Sequence, residues 1–192
     1  MKIFRIILAC IIALPLLSSC GYNTMVEKRE QVDAQLAQVD NVYQRRADLI
    51  PNLVNTVKGY AAHEEKVFQE VSEARTKIGS VSLNSDNLDE ETLKKFQDAQ
   101  DEMGSAISRL LMITENYPEL KANENFMSLQ VQLEGTENRI TVERQKYNDA
   151  ARDYNTYIKQ FPRNFISSWF DFEKKPYFTA NSGADKAPTV EF

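Results

Sequence analysis

From Tyr22 onward, apolar residues recur at helical spacing. Val32, Leu36, Val39 and Tyr43 follow steps of four, three and four, which makes one apolar face of an amphipathic helix. The period resumes after Pro51 through Leu53, Val57, Tyr60, Val67, Val71, Ala74 and Ile78. The polar run "GSVSLNSDNLDEE", Gly79 to Glu91, then breaks it as a loop, with Asp86 or Asp89 placed to cap the next helix. A third stripe, Leu93, Phe96, Met103, Ile107, Leu110 and Tyr117, ends at Pro118, which biases Tyr117 away from helix. The fourth carries Phe126, Leu129, Leu133, Ile140, Tyr147, Tyr154, Ile158 and Phe161 on near-heptad steps up to Pro162. Short connections between long helices imply antiparallel neighbours, so the pattern predicts an all-α fold, an antiparallel four-helix bundle with long helices.

Within "RRADLIPNLV", Arg45 to Val54, a proline interrupts an otherwise helical pattern. In mid-helix Pro51 would cost about 3 kcal/mol, whereas in a first turn its missing N–H costs little. Asp48, three residues earlier, suits an N-cap. The stretch therefore reads as a corner where helix one ends and helix two begins, with a single kinked helix as the alternative.

The N-terminus changes the picture of location. "MKIFR" supplies Lys2 and Arg5 ahead of an apolar run, Ile6 to Leu17, that is shorter than the roughly 20 residues a spanning helix needs. Leu17, Ser18, Ser19 and Cys20 then resemble a bacterial lipobox, in which the cysteine is acylated and becomes the new N-terminus. The other reading is an uncleaved anchor from Ile3 to about Cys20; both put the body outside the cytoplasm. The expected division is a signal peptide over 1–19, a helical bundle over 20–161 and an aromatic C-terminal tail over 162–192. Cys10 and Cys20 are the two cysteines, so on the first reading the mature body has neither free thiol nor disulfide. Two or three acyl chains would hold it where one would not. Losing Lys2 and Arg5 takes the formal net charge from -5 to -7, and with no basic stripe nucleic acid is not an expected partner.

The segments "YNTMVEKRE", "NVYQRRADLIPNLVNTVKGYAAHE", "ARTKIG", "LQVQLEGTENRI", "ERQKYNDAARDYNTYIKQFP" and the closing "KPYF" and "ADKAP" resemble the LemA family in order and over nearly the whole mature chain. That resemblance implies a helical bundle held to a bacterial membrane by its N-terminal segment, with no assigned activity or cofactor. The family often carries a plain membrane helix where this chain has the lipobox, which leaves inner and outer membrane both open.

Chemistry is sparse. His63, in "HEE", is the single histidine, so neither a zinc-protease helix nor a pair of Glu-x-x-His motifs can be assembled, and no metal or cofactor is expected. Catalysis by a serine or thiol nucleophile lacks its framing residues. Arg45, Arg46 and Asp48 precede the corner, and Glu137, Asn138, Arg144, Tyr147 and Asn148 lie along the last helix. If the two sets meet they form a buried structural network, or else a partner site. The segment Phe165 to Phe178 holds Phe165, the only tryptophan Trp169, Phe170, Tyr177 and Phe178. It could cap the bundle, bind a partner or sit in the membrane interface. The functional expectation is a non-enzymatic, lipid-anchored scaffold or interaction module of the bacterial cell envelope, attached through Cys20 and serving an envelope protein partner. The second is a protein that shapes or senses lipid through its aromatic segment.

Overall fold

The computed structural model describes the backbone of residues 2–85 and 88–179, and side chains from Gly21 onward within those ranges. The side chains of the apolar run 6–17 and of Cys20, Asp86 as a cap and the closing "ADKAP" lie outside what is described. Among the described residues six α-helices are formed: α1 (Lys2–Lys58), α2 (Glu65–Gly79), α3 (Glu90–Ile113), α4 (Pro118–Lys121), α5 (Glu124–Lys159) and α6 (Arg163–Trp169), with a 3₁₀ turn at Thr114–Asn116. Among the described residues, no helix is long and apolar enough to cross a membrane.

Neither the corner nor a simple four-helix bundle survives. Helix α1 continues through Pro51 to Lys58, and the chain turns over residues 59–64 instead, where the amides of Tyr60 and Ala61 both donate to the Val57 carbonyl. The reason lies in phase: Val32, Leu36, Val39, Tyr43, Arg46, Ile50, Leu53 and Val57 are all buried, on unbroken steps of three and four. Burying a side chain such as Ile50, Leu53 or Val57 is worth about 1.5–3 kcal/mol, which together outweighs the roughly 3 kcal/mol that proline costs in a helix. A corner would have reset that phase.

Packing is pairwise. Helix α1 lies antiparallel along α5, as the contacts Gln35 to Glu143 and Arg46 to Glu137 require, and α2 lies antiparallel along α3, bridged by Lys77–Glu102 and Glu70–Arg109. At 15 residues α2 flanks much less of the stack than the 36 residues of α5. Over the remaining length the loop before α3, helix α6 and residues 172–179 cover the core. The core is accordingly split. One cluster joins Met25 to Tyr43 of α1 with Phe96, Tyr147, Tyr154, Phe172 and Phe178. The other joins Ile50 to Val57 with Phe68, Val71, Met103, Leu110 and Phe126. Local signals set the helix starts: Asp89 accepts from the Thr92 amide at 2.6 Å, and Asn123 accepts from the Phe126 amide at 3.1 Å.

Candidate functional site

Between the two apolar clusters lies a polar layer centred on Arg46. This residue occupies a core position on α1, is only 6% exposed, and binds Glu137 of α5 at 2.8 Å. Gly104 of α3 makes room for it, since a methyl group there would come within 3.1 Å of Nη2 of Arg46. The Nε of Arg46 is buried with no hydrogen-bond partner among the described residues. Gln97 and Gln100 of α3 and Thr136 of α5 are buried nearby in the same stretch of the stack. Burial pushes the carboxyl of Asp101 up, opposed by the charges of Arg144 and Arg46. A cleft of about 640 Å³ opens beside this layer between α3 and α5, with Arg46, Gly104, Ser105, Ser108 and Glu137 among its lining.

The structure thus brings Arg46 to Glu137 and leaves Arg45, Asp48 and Asn138 exposed, outside any buried network. Arg144, Tyr147 and Asn148 do something else: they hold the C-terminal segment. Asn148 donates to the Phe178 carbonyl and accepts from the Phe178 amide, both at 2.8 Å. One heptad on, Asn155 does the same to Lys175, at 2.8 and 2.9 Å. Seven residues of helix rise about 10.5 Å and three residues of extended chain span about 10 Å, so the two amides read the backbone of one strap in register. The hydroxyl of Tyr147 donates to the Pro176 carbonyl, and Arg144 and Gln97 both donate to the carbonyl of Thr179.

Side chains of the strap are read as well. Phe178 stacks edge-on with Tyr147 and lies under the guanidinium of Arg144, while Lys175 reaches Asp33 of α1 at 2.9 Å and the Ser85 carbonyl at 3.0 Å. Asn155, Gln97 and Asp33 carry this groove and are absent from the sequence-derived set. The available signal was the Asn148–Asn155 heptad on a buried helix face.

The aromatic candidates divide. Phe178 is buried and Tyr177 is at the edge of exposure, whereas Phe165, Trp169 and Phe170 are 64%, 85% and 56% exposed, joined by Phe161 at 80%. Gly21 and Tyr22 of α1 pack against this region. Tyr22 packs edge-on against Phe170 and Phe172 at 5.0 and 5.5 Å, and a methyl group at Gly21 would lie 3.8 Å from Ile166. Helix α6 and the residue after it thus lie against residues 21 and 22, with Phe165 and Trp169 exposed on the same short helix.

A second cleft, of about 510 Å³, lies between α1, α5 and the strap, and Tyr154 faces it. Its hydroxyl is buried without a partner among the described residues, and desolvation pushes its pKa up to about 12. It remains a neutral donor. His63 sits exposed at the turn after α1, and among the described residues no three His, Cys, Asp or Glu side chains are grouped to hold a metal. The arrangement as described positions the strap and the Arg46 layer.

Known proteins share this sequence over most of its length. Magnetosome protein MamQ 2 of Paramagnetospirillum magneticum is 28% identical over 181 residues, covering 85% of this chain and 66% of its own length. Magnetosome protein MamQ of Magnetospirillum gryphiswaldense is 26% identical with the same coverage, and Protein LemA of Metamycoplasma hominis is 18% identical over 159 residues. The chain spans just under two thirds of the length of these MamQ proteins. The LemA family model matches residues 35–192, from the middle of α1 to the last residue, and the chain belongs to that family.

Proposed function

We propose that this protein is a non-enzymatic scaffold of the bacterial cell envelope, tethered by acyl chains on Cys20, with the α6 end of its bundle resting on the bilayer. One observation carries the reading: exposed Phe170 packs on Tyr22 and Ile166 of α6 lies against Gly21, the residues that follow the proposed lipidation site, while Phe165 and Trp169 are exposed on that same short helix. Aromatic side chains favour the membrane interface, and a cluster of them at the tethered end adds a second contact to the lipid. Electrostatic adhesion contributes little, because the chain is acidic. The long axis of α1 then stands away from the membrane and carries the Arg46 layer and the far core outward, where an envelope partner can reach them.

The test is cosedimentation with lipid vesicles of a chain beginning at Gly21, which retains every residue of both core clusters. Binding without acyl chains, reduced at least about tenfold by changing Phe165, Trp169 and Phe170 to serine, is the expected result. Equal binding by both chains would contradict the aromatic contact.

A further inference from the structure

We propose that the outward face of α5 is where a second copy of this chain docks, side by side and in the same direction. The observation that starts the argument is Gly135. It lies inside a helix of 36 residues, where glycine costs about 1 kcal/mol relative to alanine. A methyl group at this position would touch nothing within 4 Å, so packing inside the chain gives no reason for it. Gly135 lies on the side of α5 opposite the buried Leu133, Ile140 and Tyr147.

Its neighbours on that side form a seam. Val131, 68% exposed, Gly135, Asn138 and Val142, 48% exposed, follow steps of four, three and four, the spacing of a helix that meets another along a two-residue-per-heptad stripe. The missing Cβ lets two backbones approach, and a polar Asn within the seam fixes register. Glu134 and Arg139 flank the seam on opposite sides, five residues apart, and neither forms an ion pair among the described residues. In a parallel pair Glu134 of each copy falls beside Arg139 of the other, twice by symmetry. Antiparallel pairing brings like flanks together and forfeits both contacts.

Parallel pairing also leaves both α6 ends pointing the same way, as two copies on one bilayer need, and in this respect the inference rests on the tethered reading. The seam is short, so the pairing is weak in dilute solution and is supported by the high effective concentration of tethered copies.

The experiment uses the full lipidated chain in vesicles of phosphatidylethanolamine and phosphatidylglycerol. Under mild oxidation Asn138→Cys should form a covalent dimer about tenfold faster or more than Lys66→Cys, an exposed control on α2. Gly135→Leu in the Asn138→Cys background should abolish the difference while the melting temperature shows the fold intact. Equal rates at the two sites, or a link unaffected by Gly135→Leu, would overturn the proposal. So would Asn138→Cys linking to a different polypeptide in native membranes. Flotation of the same vesicles scores the tether separately: chain that links without floating contradicts the tether alone, chain that floats without linking contradicts the pairing alone, and chain that does neither contradicts both.

Discussion

Two tyrosines one heptad apart on α5 make opposite predictions. Tyr147 and Tyr154 are both fully buried, but among the described residues only the hydroxyl of Tyr147 has a partner, the Pro176 carbonyl. Tyr147→Phe should therefore destabilise the fold by about 1 kcal/mol or more, because it leaves that carbonyl short of a donor. Tyr154→Phe should leave the melting temperature unchanged or raise it, since it removes a polar atom that no protein group satisfies. Desolvation raises the pKa of both phenols above the ordinary value of 10.0, to about 12 for Tyr154. With the folded value raised, the folded state holds its protons longer than the unfolded one. The stabilisation is fully present below pH 10 and is lost as pH climbs toward the folded values. A pH series of melting temperatures should fall from about pH 10 to 12, and Tyr154→Phe should make that fall shallower. At Arg46 the loss is of another kind. Arg46→Ala opens a void between the two cores while Glu137, half exposed, stays solvated. A loss of about 1–3 kcal/mol, or several degrees, is expected in thermal unfolding, and an unchanged transition would reject the buried pair as a structural element.

Among the elements, the strap is fixed along one face of α5, with the side-chain amides of Asn148 and Asn155 pairing with its backbone. Replacing both Asn148 and Asn155 by alanine removes four backbone-directed hydrogen bonds and should cost about 2–4 kcal/mol. Hydrogen exchange at the amides of Lys175 and Phe178 should then accelerate well before exchange in α5 does. The first, third and fourth apolar stripes fall on buried faces of α1, α3 and α5, whereas the second, Leu53 to Ile78, is divided among the end of α1, the turn at 59–64 and α2, and α6 lies in what reads as a tail. The start of α3 was legible because Asp89 marks it, whereas Asn123, which caps α5 in the same way, was not among the expected caps. The error at Pro51 came from weighing a local rule above a longer one. Arg46 was set aside as candidate chemistry, so the stripe seemed to stop at Tyr43; counted as a core position, it carries the phase straight through the proline. The error propagated into architecture, since a break at residue 51 makes four similar helices, whereas the break at 59–64 makes one very long helix and one of 15 residues. The strap groove was legible only in part. Asparagine and glutamine on a long polar helix look like solvent-facing residues until a partner segment is known, and that segment is remote in sequence.

For the whole molecule, these features give the stack two different ends. At one end the turn after α1 and the 3₁₀ turn before α4 close the second core with short connections. At the other, α6 and the root of the strap gather around Tyr22, with three large aromatics facing outward. Tyr22 touches both Phe170, which is exposed, and Phe172, which is buried and begins the strap, so the proposed lipid contact and the strapped groove share one residue. Trp169 is the single tryptophan, which makes its emission a report on this end alone. The most direct measurement is Trp169 fluorescence of the full lipidated chain in vesicles carrying brominated acyl chains. A blue-shifted emission that bromines near the headgroups quench more than bromines deep in the acyl region is the predicted result. Emission that stays at its aqueous wavelength and is not quenched at any depth would contradict a bundle resting on the bilayer by its aromatic end.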